Sequence, residues 1–137
     1  MTVIRSKRDI SELEFLYTAR ELQVYTIRKC VNTIPKRYTF FIAQHLADSA
    51  TAIYVNTKKG NSIYPVNQHE VQIRRDYFLK AYAELQSLVS QIELSYEIIR
   101  YDQSVMQEWA ALIAKELKLI SGMLKKDRER FKNLPDK

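Results

Sequence analysis

His45, His69 and Cys30 are the residues with which this sequence could do acid–base, metal or thiol chemistry, and their spacing suits none of these. A di-iron bundle needs paired Glu-x-x-His motifs on facing helices. Neither histidine has a glutamate three residues before it. Cys30 is the single cysteine, so an internal disulfide and an all-cysteine zinc site are excluded. Lys29 adjoins it, but neighbours one apart on a helix do not share a face, so an inert buried thiol is expected. Walker A, GxGxxG, GxSxG and HExxH are all missing from the sequence. These residues predict no catalytic site, no cofactor and no metal, and hence no enzyme. His45 reads as a packed, hydrogen-bonded histidine, and Trp109 as core rather than a stacking platform for a base.

The remaining chemistry is cationic. The net charge is +6, and 13 of the 22 Lys and Arg lie in residues 1–80 against seven of the 16 Asp and Glu. The whole excess therefore sits in the first part of the chain. Arg20, Arg28, Lys36, Arg37, Arg74 and Arg75 are the candidate phosphate contacts, acting as point charges without base readout. The competing reading is a solvated, solubilising surface. Nine tyrosines, an apolar body with a hydroxyl that wants a partner, suit either self-association seams or the half-buried boundaries of a monomer. The tail KKDRERFKNLPDK reads as a solvated terminal turn.

Four helices must position these residues. The first is expected over 11–34, with Ser11 and Glu14 at capping-box spacing and Pro35 stopping it. Its apolar face takes in Leu13, Leu16, Tyr17, Leu22, Val24, Ile27, Val31 and Ile34. The second is expected over 36–59, locked to the core by Tyr38, Phe41 and Ile42. Gly60, Asn61 and Pro65 then break the chain. The third, 68–100, carries Phe78, Ala81, Leu85, Leu88, Ile92 and Ile99, with Ser95 or Tyr96 between the last two, a near-heptad stripe. The fourth, 103–131, opens at Asp102 or Ser104 and carries Met106, Trp109, Ile113, Leu117, Ile120 and Leu124. Short links leave no room for a crossover, so the expected fold is an all-α, up-down-up-down antiparallel four-helix bundle in one domain.

Composition narrows the class. Two Gly and three Pro in 137 residues starve the chain of turn residues, against an all-β sandwich or a Gly-rich nucleotide fold. At 46% hydrophobic and 28% charged it is globular. No apolar run reaches the ~20 residues of a membrane span. No apolar stretch follows the charged MTVIRSKRDI, so no secretory signal is expected and a reducing cytoplasm is.

Pro35-Lys36-x-Tyr38-x-Phe40-x-Ile42-Ala43-Gln44-x-Leu46 resembles the helix 1–2 junction of a small bacterial four-helix-bundle family. That family includes ribosomal-RNA intervening-sequence proteins and the accessory variability proteins of diversity-generating retroelements. RRDYFLKAYAELQSLVSQIELSYEI is similar to its third helix and EWAALIAKELKLISGML to its fourth. The resemblance implies a homo-oligomeric ring, a pentamer in the retroelement branch. It also implies a basic surface for RNA or DNA and a reverse transcriptase as partner. The alternative is a structural or protein-interaction bundle with no nucleic-acid role.

Overall fold

The computed structural model describes residues 13–137, so the expected cap at Ser11 lies outside the described residues. Helix α1 runs Glu14–Asn32, α2 Gln44–Ser62, α3 Gln68–Ile99 and α4 Gln103–Arg130. No strand occurs among the described residues. α1 and α3 each pack against both α2 and α4, which puts them on opposite corners of an antiparallel four-helix bundle. Across the centre, the rings of Phe15 and Phe78 meet edge to face at 5.8 Å. One hydrophobic core runs the length of the bundle.

The α3 stripe matches the heptad reading. Phe78, Ala81, Leu85, Leu88, Ile92 and Ser95 are all buried, and Ser95 rather than Tyr96 completes the row. The Ser95 hydroxyl donates to the Ile92 carbonyl at 2.8 Å and accepts from Tyr101 Oη at 3.0 Å, so its burial leaves no open donor. On α4, Trp109, Ile113 and Ile120 are buried as expected. Trp109 Nε1 donates to Thr26 Oγ1 at 2.9 Å, which places the indole in the core with its one polar atom satisfied.

Four expectations are corrected. α1 buries Phe15, Leu16, Thr18, Ala19, Leu22 and Thr26, whereas Val24, Ile27 and Val31 of the expected stripe are exposed. This helix is apolar on two faces, and only one can meet the core. The second segment does not start as a regular α-helix. A 3₁₀ turn at Lys36–Tyr38 is followed by a π-helical turn at Thr39–Ala43. The extra residue of the wide turn shifts the helical phase by about 100°. Ile42 points inward as expected, with Ala43 beside it, whereas Phe41, expected against the core, is 79% exposed, next to Phe40 at 76%.

Third, α2 runs through Gly60 to Ser62. A Cβ on Gly60 would lie 2.6 Å from Phe78 Cε1, so the glycine permits close packing against α3 instead of making a turn. The chain turns afterwards, and α3 is capped reciprocally. Asn67 accepts from the Glu70 N–H at 2.9 Å while the Glu70 carboxylate accepts from the Val66 N–H at 2.9 Å.

Fourth, the C-terminal tail is not merely a solvated turn, since Asp127 and Phe131 are buried. Gln68 Nε2 donates to the carbonyls of Phe131 and Leu134, and the Gln68 N–H donates to that of Pro135 at 2.8 Å. The tail thereby supplies an acceptor to an otherwise unpaired first-turn donor of α3.

Candidate nucleic-acid interface

The two long edges of α1 are set by its neighbours. Towards α2, Gln23 Nε2 donates to Thr51 Oγ1 at 3.2 Å, and the Arg20 guanidinium lies 3.8 Å from the centre of the Tyr54 ring. Arg20 Nη1 also donates to Gln23 Oε1 at 2.8 Å. Towards α4, Glu14 pairs with Lys115 at 3.3 Å and Tyr25 Oη donates to the Val105 carbonyl at 3.1 Å. Positions 14, 21, 25 and 28 recur at helical spacing, so Glu21 and Arg28 belong to this α4 edge. Between the edges lies an open cleft of about 630 Å3. Leu13, Leu16, Val24 and Leu112 supply its apolar lining, Tyr17, Tyr25 and Tyr54 its aromatic lining, and Arg20, Arg28 and Lys58 its cations. Two carboxylates, Glu21 and Glu108, also line it. Burial is the larger influence that raises the Tyr25 phenol, and the Glu108 charge adds to it.

The six expected phosphate contacts are therefore divided. Arg20 and Arg28 share the cleft, about 12 Å apart along the helix axis. Lys36 and Arg37 are exposed on the 3₁₀ turn beyond the end of α1, with Arg37 lying over the Tyr38 ring at 4.9 Å. Arg75 is half-buried at the opposite pole, where it lines a second hollow of about 410 Å3 with Arg128 and Lys132. Lys58, which opens the cleft on the α2 side, was legible only as an α2 charge four residues after Tyr54; that spacing puts both on one helical face.

Arg74 does not belong to any such surface. It is 4% exposed, and its five N–H donors are all taken. Nε donates to Asp127 Oδ2 at 2.7 Å and Nη2 to Asp127 Oδ1 at 3.4 Å and Met123 Sδ at 3.6 Å. Nη1 donates to the carbonyls of Ile63 at 2.9 Å and Gly60 at 3.3 Å. The guanidinium thus joins the end of α2, the start of α3 and the end of α4. The α3 stripe continued one step towards the N-terminus falls on residue 74, and the α4 stripe falls on 127. That shared heptad phase was the available signal.

Cys30, His45 and Glu116 lie outside the lining of this cleft. Cys30 Sγ donates to the Ala43 carbonyl at 3.2 Å, and burial pushes the thiol up to about 11, far from a thiolate at neutral pH. His45 is exposed rather than packed. No group of three or more His, Cys, Asp or Glu among the described residues is placed to hold a metal. No helix among them is long and apolar enough to cross a membrane. Glu116 is a buried acid that the stripe reading missed, because Leu117 beside it seemed the inward residue. It is 0% exposed, and neither carboxyl oxygen meets a protein donor. Burial pushes its carboxyl up to about 9, with Lys115 pulling the other way.

No family model, no curated protein and no solved structure matches this chain.

Proposed function

We propose that this chain is a non-enzymatic nucleic-acid-binding accessory protein of the cytoplasm, holding RNA or DNA by its phosphates. The observation that carries the reading is the convergence of Arg20, Arg28 and Lys58 on one open, aromatic-lined cleft. Cations that merely solubilise a surface need not surround a concave apolar floor. Lys36 and Arg37, exposed past the end of α1, extend the cationic surface. The resemblance at the proline corner adds the oligomeric ring, a pentamer in one branch, and a reverse transcriptase as partner. The outward Val31, Phe40 and Phe41 are consistent with that assembly, being large apolar side chains left without a core to join.

A gel shift at two salt concentrations tests the reading. Affinity should fall as salt rises, with a log–log slope of about −0.9 per phosphate contact on duplex or about −0.7 on a single strand. Replacing Arg28 and Lys58 by Glu should abolish the shift while the circular dichroism spectrum stays helical. No shift at low salt would end the proposal.

The second reading, a protein-interaction bundle, is favoured by the same Phe40 and Phe41. Light scattering and the gel shift, both run on Phe40→Ser/Phe41→Ser, read assembly and nucleic-acid binding separately. A smaller assembly with unchanged nucleic-acid binding assigns the corner to assembly and the cleft to phosphate.

A further inference from the structure

Arg20 is held in a way that ordinary surface arginines are not. The Tyr54 ring supports one face of its guanidinium at 3.8 Å, and Gln23, itself anchored to Thr51, takes one of its edge donors at 2.8 Å. Arg20 is nonetheless an exposed residue and lines the cleft. A planar cation seated this close over an aromatic ring can serve as a shelf. Unpaired bases stack on guanidinium planes as they do on aromatic rings. Its remaining donors stay available for a phosphate.

Resting on the nucleic-acid reading above, we infer that the Arg20–Tyr54 stack receives an unpaired base, so that the cleft takes single-stranded RNA or DNA in preference to duplex. Three features agree. A volume of about 630 Å3 is in the range that holds one compact ligand and suits a nucleotide or two. The charge is divided across the cleft: Arg20 and Lys58 line the α2 side, while Glu21 and Glu108 stand on the α4 side beside Arg28. Phosphates are drawn to the α2 edge and repelled from most of the other, which lays the strand along Arg20 and Lys58 with its bases turned over the shelf. A duplex keeps its base faces inside its own stack, so it can offer this cleft only its backbone.

The test is fluorescence anisotropy on the full chain at low salt. It uses a labelled oligouridine of about 12 nucleotides and a blunt RNA duplex of the same length. The single strand should bind more tightly. Arg20→Lys keeps the charge and removes the plane. It should weaken single-strand binding about tenfold, the loss of one stacked base, and weaken duplex binding by less, since the charge remains while the guanidinium fork is lost. Tyr54→Leu should behave alike by removing the support beneath the shelf. Lys58→Gln should weaken both nucleic acids together. Equal binding of strand and duplex, or tighter duplex binding, overturns this inference and leaves the nucleic-acid reading standing. So does an Arg20→Lys protein that binds the single strand as the parent does. Failure of both probes to bind at low salt overturns the nucleic-acid reading itself.

Discussion

Asp127→Asn is the substitution from which the structure demands most. The change is nearly isosteric, so packing around Phe131 and Met123 is preserved. What it removes is the one charge that compensates Arg74, whose side chain is buried and whose Nε lies 2.7 Å from the carboxylate. Arg74 would keep the carbonyls of Gly60 and Ile63, which satisfy hydrogen bonds but not a unit charge. Breaking a buried ion pair from one side typically costs about 3–5 kcal/mol. Arg130, which reaches Asp127 Oδ1 at 2.8 Å, is too exposed to matter on that scale. Whole-domain stability is usually about 5–15 kcal/mol, so this one substitution removes a large share of it. Urea unfolding followed by helical circular dichroism measures the loss as a lower midpoint at unchanged slope. The double variant Arg74→Met/Asp127→Leu removes both charges and should return to within about 1–2 kcal/mol of the parent, since apolar replacement of a buried pair is often neutral. A loss under about 1 kcal/mol for Asp127→Asn, or a double variant as unstable as the sum of the singles, would refute the three-helix clamp.

Gly60→Ala should cost about 1–3 kcal/mol, because its methyl would collide with the Phe78 ring, and chemical denaturation reads the loss. An Ala variant as stable as the parent would show that the α2–α3 contact can relax. Arg100 closes α3 at φ 59°, a left-handed conformation that costs a side chain about 1 kcal/mol, so Arg100→Gly should raise the melting temperature by a few degrees. Glu116 has its folded-state pKa raised from the ordinary 4.5 to about 9 by burial. The folded state therefore holds a proton that the unfolded state has released, and stability should fall as pH rises between these values, by up to about 1.4 kcal/mol per unit, then level off. Glu116→Gln should flatten that slope in a pH series of urea midpoints, and an unchanged slope would assign it to another group.

The heptad row from Phe78 to Ile92, the stop at Pro35 and the start of α3 near Gln68 are local patterns, and each was readable because one helix and its own side chains suffice to produce it. Val24, Ile27 and Val31 show where such reading ends. Apolar residues on both sides of a helix state that it is amphipathic without saying which side the other three helices will cover. Phe41 was misplaced for a related reason: a single wide turn rotates everything before it, and no residue type in TFFIA announces that turn.

Charge was the property hardest to place. Arg20, Arg28 and Arg74 are alike as letters, yet the first two border an open cleft and the third is sealed in the core. The difference lies in a partner 53 positions away, since Asp127 meets Arg74 only after α3 and α4 have packed side by side. Composition and periodicity determined an all-α bundle with a cationic first half, because helical spacing and net charge are properties of the chain itself. Which cations face solvent, and which one fastens three helices together, was decided by tertiary packing, because desolvation and ion pairing depend on neighbours brought together only by the fold.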